Sequence, residues 1–120
     1  MLPAHFRLSN KKALAAVFKE GEYAACRELS LKWRKTHLAQ TRVGFIASKK
    51  NFPKASARNR AKRLLREAAR PPLFQLRPGF DIIVLYRYVP EHLNLATVAH
   101  SLRTLLEKNN LLQKIHDGTL

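Results

Sequence analysis

Two hydrophobic periods alternate along the chain, and the switches between them mark out its elements. Ser9 or Asn10 can cap a helix whose apolar positions Leu14, Val17 and Phe18 recur at helical spacing, and Gly21 can end it. Residues 28–33 change to a period of two, with Leu29, Leu31 and Trp33 on one face and Glu28, Ser30 and Lys32 on the other. A short strand at 24–27 is expected to join this one. The polar stretch 35–41 reads as a hairpin-like loop. Residues 42–49, RVGFIASK, form a strand apolar on both faces, which argues for a central place in a sheet.

Residues 51–54 include Pro53 and can start a second helix. Pro71-Pro72 should stop it, because proline lacks the amide donor and turns the preceding residue away from helical geometry. Pro78-Gly79 is a turn, and residues 81–88, DIIVLYRY, are a buried strand. From about Asn94, Leu95, Val98, Leu102, Leu105 and Leu106 line one face of a last helix, and the tail after about Leu112 is expected to fray. The order of elements predicts an α+β fold, a two-layer sandwich of a small mixed sheet with helices. The 120 residues suit one domain, with no internal repeat or linker.

The second helix changes the picture. Residues 57–70, ARNRAKRLLREAAR, carry six Arg or Lys side chains: Arg58, Arg60, Lys62, Arg63, Arg66 and Arg70. At about 100° per residue, Ala57, Ala61, Leu64, Leu65 and Ala68 share one arc, the width of a core-facing stripe. The small alanines let the helix approach its sheet closely. Everything else is expected to face outward, with Asn59 among the cations and only Glu67, four residues after Arg63, to offset them. A merely solvated face would mix both signs. A face of nearly one sign, dominated by forked guanidinium groups, points to nucleic-acid phosphates. Lys49 and Lys50 at a strand end and Lys54 at the helix start should extend it. Near the N-terminus, Phe6, Arg7, Lys11, Lys12, Phe18 and Lys19 bring rings and cations together, a combination that suits single-stranded nucleic acid.

The whole composition agrees. Lys and Arg number 23 against 8 Asp and Glu, a net charge of +15, so the partner is a polyanion. An anionic membrane fits less well: no apolar run approaches the roughly 20 residues of a spanning helix, and the N-terminus lacks a signal-peptide core. The single cysteine, Cys26, excludes an intramolecular disulfide and a multi-cysteine metal site. A cytoplasmic location is expected. A self-sufficient nuclease would cluster carboxylates around metal ions. Here Glu20, Glu22, Glu28, Glu67, Asp81, Glu91, Glu107 and Asp117 are scattered, and His5, His37, His92, His100 and His116 follow no ligand spacing. No catalytic residue and no metal ligand is assigned to the protein.

RVGFIASKK followed by ARNRAKRLLRE resembles the bacterial ribonuclease P protein component. The matching residues are Ser48, Lys49 and Lys50 at the strand end, then Arg58, Asn59, Arg60, Ala61, Lys62, Arg63, Leu64, Leu65, Arg66 and Glu67. AVFKEG upstream and PGFDIIVLYR downstream extend the resemblance over about residues 6–108. It implies a ribosomal-protein-like sandwich with a left-handed strand–helix–strand crossover, against the usual right-handed rule. It also implies the protein subunit of a ribonucleoprotein endonuclease that removes the 5′ leader of precursor tRNA, with catalysis in the RNA subunit. On this resemblance Lys49, Lys50, Arg58, Asn59, Arg60, Lys62, Arg63, Arg66 and Arg70 meet the RNA subunit. Phe6, Arg7, Lys11, Leu14, Phe18 and Lys32 line a cleft for the single-stranded leader. No cofactor is held by protein residues alone; magnesium is expected at the RNA subunit, with the RNA–protein interface left open for it. No obligate protein partner is expected. The chain departs from the common pattern with Asn51-Phe52-Pro53-Lys54 where many members have Gly-Asn, with Leu14 for an aromatic, and with Lys32 for a tyrosine. A structural RNA-binding protein of ribosomal type is the alternative reading.

Overall fold

The computed structural model describes residues 6–89 and 93–113. Seven elements follow one another: α1 (Lys11–Glu20), β1 (Glu22–Ala25), β2 (Leu29–Lys35), β3 (Arg42–Ile46), α2 (Ala55–Leu73), β4 (Phe80–Tyr86) and α3 (Leu95–Lys108). Asn10, not Ser9, caps α1: its side-chain oxygen accepts from the amides of Lys12 at 2.8 Å and Ala13 at 3.3 Å. Asn94 does the same for α3 through Thr97. The segment after Gln113 lies outside the described residues.

The strands form one mixed sheet in the order β1-β2-β4-β3. β1, β2 and β4 are antiparallel neighbours, with Tyr23 opposite Lys32 and Lys32 opposite Ile83. β3 runs parallel to β4, with Val43 opposite Ile82 and Phe45 opposite Val84, and α2 makes the crossover between them. This is the α+β arrangement of a small mixed sheet with helices. Because side chains alternate across a strand, the sheet has two distinct faces. Leu29, Leu31, Trp33, Val43, Ile82, Val84 and Tyr86 pack with α2 and α3 in the main core. Ile83 packs with Leu8 and Val17 on the other face, where Leu14, Ile46 and Leu85 close around them under α1.

Three local expectations are corrected. β3 is an edge strand and not a central one. It is apolar on both faces because Leu8 and Leu14 lie over one and α2 packs on the other, and part of its edge is shielded as well. The Leu8 amide donates to the Val43 carbonyl at 3.0 Å, which brings Arg7 beside Val43 in a parallel bridge. Gly44 permits this approach, since a Cβ there would sit 2.9 Å from the Leu8 carbonyl oxygen. The loop 36–41 is no hairpin, because β4 lies between the strands it joins. Gly79, at a φ of 88°, supplies the turn into β4.

The third correction concerns Pro71 and Pro72, which lie inside α2. Both fall in its last turn; the fixed proline φ suits a helix, but the amide bonds to the Glu67 and Ala68 carbonyls are lost and the rings crowd them. Pro72 and Leu73 are buried there, which offsets that loss. In α3, Val98, Leu102, Leu105 and Leu106 are buried as the spacing predicts, whereas Leu95 at its start is exposed.

Candidate nucleic-acid interface

α2 is amphipathic in an extreme form. Ala61, Leu65, Ala68 and Ala69 are buried against the sheet and α3, with Ala57 and Leu64 half-buried at the margins. Burial of Leu65 alone contributes about 1.5–3 kcal/mol. Such burial is what lets a helix with stacked like charges persist. The other side exposes Asn59, Arg60, Arg63, Arg66 and Arg70, with Lys62 half-buried beside them. Glu67 pairs with Arg70 at 3.2 Å and not with Arg63, so the pairing falls at i, i+3.

Arg58 lies differently from its neighbours. It is half-buried, and its Nη1 donates to the carbonyls of Phe52 at 2.9 Å and Pro53 at 3.0 Å. Those residues belong to the connection between β3 and α2, in which Lys49 and Lys50 are exposed at a turn.

The first-helix face carries the second group. Lys32 stands on β2 with Tyr23 directly opposite on β1. Its Nζ lies 5.6 Å from the Phe18 ring and 5.9 Å from the Tyr23 ring, and it donates to the Phe18 carbonyl at 3.4 Å. Both rings are exposed, Phe18 by 42% and Tyr23 by 57%, so Phe18 is no core residue. Lys11 is exposed in the first turn of α1, and Leu14 packs half-buried toward Gly44 and Ile83. Tyr23 is the residue that sequence reasoning passed over. Its signal was the four-residue EYAA strand just before β2, too short to fix a register until the pairing is known.

Phe6 is not part of this group. It packs edge-on against Phe74 at 5.9 Å, beyond the end of α2. Arg7 is also separate. With Ser9, Gly44, Phe45, Arg63 and Arg66 it lines an open groove of about 480 Å³ along the edge of β3. The groove runs between the outer side of α2 and the N-terminal segment. The two residue sets expected from the sequence thus meet at Arg7.

Most of the described carboxylates are engaged, and they are dispersed. Glu20 pairs with Arg34 at 3.4 Å, and Glu107 with Arg103 at 3.1 Å. Glu28 accepts from the Ser101 hydroxyl at 3.0 Å. Asp81, fully buried, takes both arms of Arg42 at 2.7 and 2.9 Å; that hydrogen-bonded carboxylate raises the guanidinium above its ordinary pKa. Among the described residues no group of three or more His, Cys, Asp or Glu comes together in a way that could hold a metal ion. No helix among them is long and apolar enough to cross a membrane.

Fold and surface define a class: a small, strongly basic α+β protein whose crossover helix exposes an arginine-rich face interrupted by Glu67. Comparison with known proteins gives the family. The family model described as Ribonuclease P matches residues 2–110, and the chain belongs to that family. A "Ribonuclease P protein component" of Pseudanabaena sp. is 34% identical over 113 residues, covering 93% of this chain and 97% of the relative. One from Symbiobacterium thermophilum is 34% identical over 110 residues, covering 91% and 95%. The solved RNase P protein from Thermotoga maritima superposes with a TM-score of 0.76 at 30% identity, over 85% of this chain and 96% of that one. The Staphylococcus aureus RNase P protein has the same fold, with a TM-score of 0.79 at 23% identity over 90% and 98%.

Proposed function

We propose that this chain is the protein subunit of a ribonucleoprotein endonuclease that removes the 5′ leader of precursor tRNA, with the chemistry residing in the RNA subunit. The observation that carries this reading is the outer face of α2, which exposes Arg60, Arg63, Arg66 and Arg70 around a single acid, in a member of the ribonuclease P family. Arginine forks engage phosphate oxygens two at a time, and a row of them along a rigid helix suits a structured RNA backbone. With Asn59, Lys62, Lys49 and Lys50 they form the face for the RNA subunit.

On the opposite side of the sheet, Lys32 between Phe18 and Tyr23 suits a single strand, with a cation for phosphate and flat rings for bases. We assign the leader to this face, with Lys11 and Leu14 on α1 beside it. The groove at Arg7 offers a charged path from one face to the other. Magnesium is assigned to the RNA subunit, with the RNA–protein interface left open for it. The protein works where its partners are, in the cytoplasm.

The test is cleavage of precursor tRNA by the RNA subunit at low magnesium, with and without this chain. Addition of the protein should raise the rate, and the protein alone should cleave nothing. Cleavage by the purified protein without RNA would overturn the reading. A plain structural RNA-binding protein would bind without changing the rate.

A further inference from the structure

We infer that Arg58 is a positioning residue: it acts on RNA through Lys49 and Lys50, by locking the turn that carries them onto the first turn of α2. The inference rests on the proposed role of those lysines at the RNA subunit.

The connection from β3 to α2 is tied at several points. The Phe52 amide donates to the Ser48 carbonyl at 2.8 Å, and the Asn51 amide to the Ser48 hydroxyl at 3.2 Å, which closes the turn on itself. The Asn51 side chain donates to the Tyr86 carbonyl at 3.3 Å, which ties the turn to β4. The Phe52 ring is buried 5.1 Å from the Tyr86 ring. On the α2 side, by contrast, the cap residue Lys54 makes no side-chain capping bond, and no acid stands in the first turn. A cation there is opposed by the positive end of the helix dipole. Arg58 is nonetheless held there, because its Nη1 reaches back to the Phe52 and Pro53 carbonyls. One side chain thus holds two carbonyls just ahead of α2 and closes the turn from the helix side. Arg60, Arg63, Arg66 and Arg70 are exposed; Arg58 is half-buried. The sequence places them in one basic run, and the structure divides their work.

A double-mutant cycle on affinity for the RNA subunit, measured across a salt series, tests this. Arg58→Ala should weaken binding roughly tenfold when Lys49 and Lys50 are present, and by less than about twofold in the Lys49→Ala/Lys50→Ala background. In that background it should leave the salt slope unchanged. Asn51→Ala, which cuts the tie to β4, should show the same dependence on the lysines. If Arg58→Ala does not fold, Arg58→Gln, which keeps two methylenes of the stem but cannot carry a donor as far as Nη1, enters the same cycle. An equal loss in both backgrounds, with the slope falling by about 0.7–0.9, would make Arg58 a direct phosphate contact and overturn the inference. So would an Arg58 replacement that costs nothing with both lysines present. If the lysine pair itself can be removed without loss, it is the reading of Lys49 and Lys50 that fails, and Arg58 loses its proposed role with it.

Discussion

The Tyr86 hydroxyl donates to the carbonyl of Ala61 at 2.8 Å, a buried bond that fastens the end of the central strand β4 to the middle of the arginine helix. Ala61 sits between Arg60 and Lys62, so this bond fixes the height and rotation of α2 at the centre of its charged face. The Phe52 ring meets the ring of the same tyrosine edge-on, and the neighbouring connection is thereby tied to the same point.

Tyr86→Phe should therefore lower stability by about 0.5–1.5 kcal/mol in denaturant unfolding at neutral pH. Burial raises the phenol well above its ordinary pKa near 10. The unfolded chain releases this proton first as pH rises. The contribution of the neutral phenol is complete below about pH 10 and declines above it, as the pH approaches the folded value. Tyr86→Phe should flatten that alkaline decline; an identical decline in the variant would show that other groups cause it.

Arg66→Ala and Leu65→Ala lie next to each other and should fail in different ways. Loss of the exposed Arg66 should leave the melting temperature nearly unchanged while reducing the slope of log affinity against log salt by about 0.7–0.9. Loss of the fully buried Leu65 should cost about 2–5 kcal/mol of stability and leave the slope of the protein that remains folded intact. A salt series with a parallel melt separates the two.

Lys32→Ala should weaken binding of precursor tRNA with a leader of several nucleotides and leave mature tRNA nearly unaffected. Tyr23→Ala should act in the same direction, since base stacking on a ring is worth about 1–3 kcal/mol. Titration of both substrates against each variant gives the answer. Equal losses on the two substrates would move the leader away from this face.

Asp81→Ala should destabilise the fold by about 3 kcal/mol, because it leaves Arg42 half-buried without its carboxylate. Asp81→Asn, which keeps an acceptor for Arg42, should cost less. Urea midpoints at fixed slope measure both.

The contrast between these sites follows what a sequence can express. Period-two and period-3.6 patterns report which side of an element is buried, so the helices, the sheet and the α2 stripe were legible. Which strand sits at an edge is a property of pairing. β3 reads as central because Leu8 and Leu14 cover one face and α2 the other, and no pattern within residues 42–49 distinguishes the two cases. Pro71 and Pro72 mislead for a related reason: a local rule about amide donors gives way to burial of Pro72 in the last turn. The basic run was legible as a surface, but the Arg58 side chain turns toward carbonyls that only the folded connection brings near. Tyr23 needed the register against Lys32 before it gained meaning.

The parallel pairing of β3 with β4 has a consequence for how the protein is made. About thirty residues separate the two strands, and α2 is translated within that interval. At typical elongation rates β4 follows β3 from the ribosome by roughly two to seven seconds. Until then the seam of Ala61, Leu65 and Ala68 has no central strand to seal it, and Tyr86 is not yet there to pin the helix. The nascent chain therefore holds its arginine row before it holds the platform that orients it, and β4 and then α3 must arrive before a sticky cationic segment becomes an ordered surface.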